Sequence, residues 1–360
     1  MTLDPFLIRT WQGSIDVTAL LRAAPIPEDS IVIVTGSLVE GHGNPFSDID
    51  IICLTNSRPT LRTARVQDPL LVQFGAGLDI IRTSLMGEEC RSATDDQDRV
   101  IVAIHDYADI WGTRYDIEFV TPETIPGVIK QVSASFQMLG QTFGSTPLSI
   151  RFVDARLLDR LLVGTPINGR SQYDALIHTI PGVELCYCLY RAAFVEYAGF
   201  QDVIGAMLGR RWPMAVQLAR GFVLRNVRAW LHLYGVANPN EKWVTVYLDK
   251  IESIEPSIRQ AIRSVIMPDH IEDPEKFALR CLDTAETLMQ DCLRLLRSEQ
   301  GYHSPDRILS NIKSRMSAVG RTDPHLRLSM EYYAKAGSST AMALRDFLKK
   351  PEGLTKNCFD

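Results

Sequence analysis

Two aspartates one residue apart, Asp48 and Asp50, lie in the apolar run SDIDIICL at residues 47–54. If this run is a strand, alternate side chains share a face, so both carboxylates point one way while Ile49 and Ile51 point into a core. Two ionised carboxylates this close repel each other unless a pKa rises or a cation binds. Mg²⁺ prefers hard oxygen ligands and usually combines one or two protein carboxylates with phosphate oxygens. The pair therefore predicts a site for a metal-bound nucleotide.

A second apolar run, RYDIEFV at residues 114–120, repeats the pattern with Asp116 and Glu118 on one face. If the two strands are neighbours, a third carboxylate lies beside the first two. Such a cluster can hold two metal ions, one of which activates an attacking oxygen while both stabilise the phosphorus being transferred. We expect the metal ligands to be Asp48, Asp50 and a third acid, and the sequence leaves open whether that acid is Asp116 or Glu118.

The pair Gly36-Ser37 ends the β-branched run IVIVTG at residues 31–36 and precedes a predicted helical turn. Backbone N–H groups at such a turn, together with a serine hydroxyl, form an anion site that suits a triphosphate. A glycine lets the backbone approach the phosphates closely. No G-x-x-x-x-G-K-[ST] motif occurs in the chain, so the turn is not a P-loop.

Each of these features has an ordinary structural interpretation when taken alone. Asp48 can cap a strand turn, and Asp116 and Glu118 can lie on a solvated face of a sheet. Four features nevertheless occur in order: Gly-Ser, a spacer, an apolar D-x-D strand and a later acidic strand. Agreement among independent signals favours the functional interpretation.

The elements that must position these residues follow from hydrophobic periodicity. Alternating and β-branched runs predict strands, and a spacing of three and four from residue 121 onward predicts helices. We predict strands at 31–36, 47–54, 70–74 and 78–83, a hairpin formed by 99–111 and 114–120, a helix at 14–23, and helical breaks at 164–169, 238–240 and 268. The expected fold class is α+β, with a small mixed β-sheet catalytic domain at 1–125 followed by a mostly helical domain at 126–350.

Composition narrows the class of protein. The chain of 360 residues suits two domains, and its net charge of −5 argues against a general nucleic-acid binder. Seven cysteines without framework spacing favour reduced thiols in the cytoplasm. The beginning of the chain lacks the basic and apolar segments of a signal peptide, and no apolar stretch suits a bilayer, so we expect no membrane association. The oligomeric state is left open.

Together, Gly36-Ser37, SDIDI at 47–51 and YDIEFVTPE at 115–123 resemble the polymerase-β-type nucleotidyltransferase superfamily. The resemblance covers residues 31–122 and is strongest to the bacterial branch that contains the aminoglycoside nucleotidyltransferases. It implies that Asp48 and Asp50 bind Mg²⁺, and that Gly36 and Ser37 hold the β- and γ-phosphates of ATP or another NTP. Ser47 joins this nucleotide-binding set. The long spacer between Asp50 and Asp116 departs from the family pattern and implies an insertion.

The resemblance favours Asp116 as the third acid and keeps Glu118 as the alternative. It also implies that the helical domain covers the nucleotide and forms the acceptor site. Lys242 before Trp243 resembles a pair found in some nucleotidyltransferases and is a candidate contact for the triphosphate; the alternative is that Trp243 anchors the core and Lys242 is a surface lysine. Arg156 and Arg160 share one helix face; phosphate contact and pairing with nearby acids such as Asp154 and Asp159 are both open.

The expected activity is Mg²⁺-dependent transfer of AMP, or another NMP, from an NTP to a hydroxyl of a small-molecule acceptor, with release of pyrophosphate. Two alternatives remain. One is synthesis of a cyclic or oligomeric nucleotide second messenger, and the other is a non-catalytic nucleotide-binding partner in a toxin–antitoxin pair.

Overall fold

The computed structural model describes residues 6–10, 13–18, 26–44, 47–56, 99–106, 113–141, 150–193, 197–238, 240–298, 301–308, 310 and 344–348. The predicted strands at 70–74 and 78–83 lie outside these ranges.

A mixed five-stranded sheet forms the framework of the site. Its strands in chain order are β3 (Ile31–Thr35), β4 (Ile49–Leu54), β5 (Arg99–Asp106), β6 (Thr113–Val120) and β7 (Thr165–Asn168), and their spatial order is β5-β6-β4-β3-β7. β4 runs parallel to β6, while β3–β4, β3–β7 and β5–β6 are antiparallel. The predicted β5–β6 hairpin is confirmed.

The central strand β4 is buried along its whole length, which explains its nearly continuous apolar sequence IDIICL. Residues on one face of the sheet form a core, with Val32, Val34, Ile49, Ile51, Cys53, Ile117 and Phe119 among its members. Asp50 alternates with these residues and therefore belongs to the opposite face. The alternation predicted around Asp50 is thus confirmed, whereas Asp48 precedes β4.

The remainder of the described chain is mostly helical. The helices are α1 (Thr124–Leu139), α2 (Phe152–Val163), α3 (Arg170–Ile177), α4 (Gly182–Ala193), α5 (Tyr197–Leu208), α6 (Trp212–Leu233), α7 (Val244–Lys250), α8 (Pro256–Ile266) and α9 (Pro274–Ser298), with 3₁₀ turns at Glu241–Trp243 and Leu344–Leu348. The fold class is α+β, as predicted. No helix within the described ranges is both long and apolar enough to cross a membrane.

The described residues divide into two compact units. The first lies within 1–130 and 156–180, and the second within 131–155 and 181–360. The first unit holds the sheet. In the second, α6 packs along α9, and Trp230 donates from Nε1 to Asp291 at 2.8 Å. The side chains Phe277, Cys281, Leu288 and Cys292 form the buried stripe of α9.

One local prediction was wrong in part. Residues 14–16 of the helix expected at 14–23 are extended, because they belong to a hairpin of β1 (Leu7–Thr10) and β2 (Gly13–Asp16). Residues 19–23 lie outside the described ranges. The helical break expected at 164–169 is confirmed, and it contains β7, which pairs with β3. β2 and β7 have only four residues each, so neither shows a clear alternating period.

Candidate active site

The sheet brings the two acidic strands side by side, as expected. In the parallel β4–β6 pair, Asp50 is the register partner of Asp116, and Ile52 is the partner of Glu118. Register partners in neighbouring strands lie about 5 Å apart, whereas a residue two positions along is ~7 Å further on. The Asp116 backbone is therefore level with Asp50. The Asp116 side chain lies outside the described part of the structure.

The Gly-Ser turn lies directly against Asp50. Thr35, the last residue of β3, is the register partner of Asp50, so the chain turns beside this carboxylate. Gly36 has a φ of 85°, and a Cβ placed on it would lie 2.1 Å from Asp50 Oδ2. Only glycine fits here, because any other side chain meets both an unfavourable backbone conformation and the carboxylate.

Backbone hydrogen bonds hold the turn that follows. The Gly36 carbonyl accepts from Glu40 N at 3.0 Å, and the Ser37 carbonyl accepts from His42 N at 2.9 Å and from Gly43 N at 2.8 Å. The bond from Glu40 N to the Gly36 carbonyl closes a single turn with helical spacing, where the sequence predicted a helical turn, and the two bonds to the Ser37 carbonyl close wider turns. The Ser37 backbone is thereby fixed just after β3 and directly after Gly36, the residue that adjoins the Asp50 carboxylate.

Ser47 and Asp48 connect this loop to β4. The Ser47 hydroxyl accepts from the Asn44 N–H at 2.8 Å, and Ser47 N donates to the Asn44 carbonyl at 2.9 Å. This reciprocal pair closes a tight turn, so Ser47 has a structural role in addition to the nucleotide contact predicted for it. Asp48 follows at once and is half-buried just before β4 begins.

An arginine from α2 reaches the acidic face of the sheet. Arg160 Nη2 donates to Asp50 Oδ1 at 2.5 Å, and Arg160 Nη1 lies 3.5 Å from Glu118 Oε2. Asp50 is 7% exposed and Glu118 is 4% exposed. A guanidinium carries a permanent charge, so it offsets the repulsion between two buried carboxylates.

Arg160 contacts acids that spacing along its own helix does not point to. Asp154, one of the two acids considered from the sequence, accepts two hydrogen bonds from Arg151, from Nε at 2.7 Å and from Nη2 at 2.9 Å. Spacing along a helix shows which side chains share a face, but it carries no information about a sheet residue 110 positions away.

Asp159 is a buried acid beside this arginine that the sequence did not single out as a site residue. Burial raises the pKa of Asp159 to about 7; the negative charge of Glu40 adds to the increase and the charge of Arg160 opposes it. Glu40 belongs to the turn after Ser37. The electrostatics of this turn and of α2 are therefore linked through Asp159.

The donor set at this end of the sheet fits a magnesium ion. Asp48 and Asp50 supply hard carboxylate oxygens, and the missing side chain of Gly36 lets Asp50 Oδ2 lie directly against the Gly-Ser turn. Among the side chains that the structure describes, no group of three or more metal-binding residues is assembled. The predicted third ligand, Asp116, is not among those side chains, so the complete set stays a prediction.

Lys242 belongs to the second unit, in the 3₁₀ turn at Glu241–Trp243. The Asn240 side chain caps this turn by accepting from Lys242 N at 3.1 Å. The Lys242 ammonium is 4.6 Å from the centre of the Trp243 ring, at cation–π distance. Its contact with a triphosphate stays a prediction.

Comparison with known proteins agrees with this geometry. Residues 20–136 match the family model of the nucleotidyltransferase domain. No curated protein matched the chain. The matched range contains the Gly36-Ser37 turn, the D-x-D strand and β6. The chain therefore carries a nucleotidyltransferase domain, consistent with the polymerase-β-type superfamily.

Proposed function

We propose that the protein is a Mg²⁺-dependent nucleotidyltransferase that moves AMP, or another NMP, from an NTP to a hydroxyl of a small-molecule acceptor. The observation that carries this proposal is the contact between Gly36 and Asp50 at the level of Asp116. An anion-binding turn and a metal-binding carboxylate then adjoin each other, which is the arrangement that a metal-bound triphosphate requires.

Each residue has a separate role in this proposal. Asp48 and Asp50 hold the metal, which supplies charge neutralisation at the phosphates. Gly36 and Ser37 bind the β- and γ-phosphates. Asp116 is favoured as the third acid because it is the register partner of Asp50, whereas Glu118 lies two residues further along and contacts Arg160.

The reaction forms one bond and breaks another. The acceptor oxygen attacks the α-phosphorus, and the bond between this phosphorus and the α–β bridging oxygen breaks. Pyrophosphate leaves with the electron pair of that bond. The proton of the acceptor hydroxyl passes to the third acid, Asp116 in our assignment, and then to water. Positioning of the phosphates by the Gly36-Ser37 turn favours in-line attack.

The proposed nucleotide, the acceptor class and the role of the helical domain rest on the sequence resemblance. We propose ATP as the first nucleotide to test and an aminoglycoside-like hydroxyl compound as the acceptor class, with the helical residues from 126 onward covering the nucleotide and Lys242 contacting it. We also propose a cytoplasmic location. It is supported by the described cysteines, all of which are buried free thiols, as expected in a reducing compartment.

Binding of a fluorescent ATP analogue to the full chain tests the proposal before the acceptor is known. We expect Mg²⁺-dependent binding that is lost in the Asp48→Asn/Asp50→Asn double variant. Release of pyrophosphate is then measured with each NTP, with and without a panel of aminoglycosides. Nucleotide binding that is absent, or that is equal in the wild type and the double variant, contradicts the proposed site.

The same assay separates the alternatives. A cyclic or oligomeric product formed from NTPs alone replaces the acceptor proposal with second-messenger synthesis. Nucleotide binding without pyrophosphate release in any mixture favours the non-catalytic partner.

A further inference from the structure

We propose that Arg160 is a positioning residue for Asp50, a role that rests on the proposed function of the site. Its guanidinium donates to Asp50 Oδ1 and approaches Glu118 Oε2, so one cation contacts acids on two neighbouring strands. Neither the motif pattern nor the helical spacing assigns this role to Arg160.

The backbone of Arg160 is fixed by a hydrogen bond to β3. Its carbonyl accepts from Thr35 Oγ1 at 3.0 Å, in the residue that precedes the Gly-Ser turn. The end of the same helix lies close to β3, because a Cβ on Gly164 would lie 2.5 Å from Ile33 Cγ2. Arg160 is thus attached by its backbone to the strand that leads into the turn, and by its side chain to Asp50.

A second anchor fixes the end of α2. The Tyr173 hydroxyl is 2.8 Å from the Leu161 carbonyl and 2.8 Å from the Gly164 carbonyl. Leu161 belongs to the last turn of α2 and Gly164 follows the end of the helix, where no further helical N–H can satisfy their carbonyls. The position of the guanidinium relative to the sheet is therefore determined by several contacts outside the site.

The two oxygens of Asp50 face different surroundings. Oδ1 accepts from Arg160, while Oδ2 is the atom that adjoins Gly36. Holding Oδ1 turns Oδ2 toward the Gly-Ser turn. We infer that Arg160 sets the orientation in which Asp50 presents its carboxylate to a metal-bound nucleotide.

This arrangement also assigns a role to Glu118. Its carboxylate is buried and lies beside the second terminal nitrogen of Arg160, so it orients the guanidinium. A planar guanidinium can address two carboxylates at once, whereas a lysine ammonium is a point charge. The register partner Asp116 then remains as the third acid.

Arg160 has two opposing effects on a cation at this site, and the test uses both. Its positive charge repels a divalent cation; at ~5 Å in a water-like dielectric, this repulsion corresponds to about a tenfold change in affinity. Its hydrogen bond orients Asp50, which turnover requires. We therefore expect Arg160→Met to bind Mn²⁺ alone about tenfold more tightly than the wild type, with a kcat about 100-fold lower and a smaller change in KM.

The experiment measures Mn²⁺ binding to the full chain by electron paramagnetic resonance, and then NTP turnover. Asp50→Asn shows whether the Mn²⁺ site is the one proposed. Arg170→Met is the matched control, because Arg170 is exposed and its guanidinium lies 3.4 Å from the Pro166 carbonyl in the same unit. It should behave as the wild type.

The outcomes distinguish the two proposals. Mn²⁺ binding that is unchanged by Asp50→Asn refutes the proposed metal site. Mn²⁺ binding that depends on Asp50 but is equal in wild type and Arg160→Met, or equal turnover in these two proteins, refutes the positioning role alone. A structural role without positioning weakens Mn²⁺ binding and turnover together, which also refutes it.

A second variant covers the case in which Arg160→Met does not fold. Arg160→Lys keeps the charge but loses the two-branched donor. We expect Mn²⁺ affinity within about threefold of the wild type and a kcat reduced by roughly tenfold. A kcat equal to that of the wild type in Arg160→Lys overturns the proposal.

Discussion

Replacing Gly36 with alanine tests the central contact of the site. The residue has a φ of 85°, where an alanine costs about 1–2 kcal/mol. The new Cβ would lie 2.1 Å from Asp50 Oδ2 and 2.9 Å from Asp50 Cγ, so the carboxylate must move. Forcing a methyl group into packed surroundings costs a further ~1–3 kcal/mol. We expect Gly36→Ala to lower the free energy of unfolding by about 2–5 kcal/mol in urea titrations.

A matched control separates the two contributions. Gly41 has a φ of 77°, and a Cβ placed on it would meet no atom within 4 Å. Gly41→Ala therefore carries the backbone cost alone, about 1–2 kcal/mol. The difference between the two variants measures the clash with Asp50.

The same pair of variants links this contact to function. Because Asp50 must shift in Gly36→Ala, we expect Mg²⁺-dependent binding of the fluorescent ATP analogue to weaken by at least tenfold. Gly41→Ala should bind within a factor of about three of the wild type. Equal stability and equal nucleotide binding in the two variants would show that the approach of Gly36 to Asp50 has no functional importance.

Three further predictions concern stability. Burial raises the pKa of Asp159 to about 7, so between about pH 4 and 7 this carboxyl keeps its proton in the folded chain and loses it in the unfolded chain. The free energy of unfolding therefore falls as the pH rises through this range. Asp159→Asn should remove roughly 2–4 kcal/mol of that decrease in urea titrations across this range; an identical pH dependence in both proteins contradicts the assignment. Arg210 lies just after α5 with a φ of 51°, a conformation that favours glycine. Arg210→Gly should therefore raise the free energy of unfolding by about 1 kcal/mol and increase the melting temperature. A lower melting temperature would show that contacts of the arginine side chain outweigh the backbone strain. Asp291→Ala leaves the buried Trp230 indole N–H without its acceptor and should cost about 2–3 kcal/mol, visible as an earlier transition in tryptophan fluorescence, and an unchanged transition would mean that water replaces the carboxylate.

Local features of the sequence predicted much of the sheet that carries the acidic residues. Strand β4 is recognisable because apolar residues surround Asp50, and β6 because alternation places Asp116 and Glu118 on one face. The sequence left the pairing of these strands as the condition for a third carboxylate beside the first two, and the structure shows them as parallel neighbours. From the sequence, Gly36 was expected to let the backbone approach the phosphates closely. The same glycine also adjoins Asp50, which local patterns do not show.

The sequence by itself determined the local elements and the motif residues that they carry: a Gly-Ser turn, a D-x-D strand, an acidic hairpin and a helical remainder. These follow from interactions between residues close in the chain, which hydrophobic alternation records. Only the tertiary structure decided that β7 joins the sheet, and that Arg160 contacts Asp50 across 110 positions of sequence. The physical reason is that a salt bridge depends on where α2 packs, and packing is the sum of many weak contacts rather than a property of any one segment.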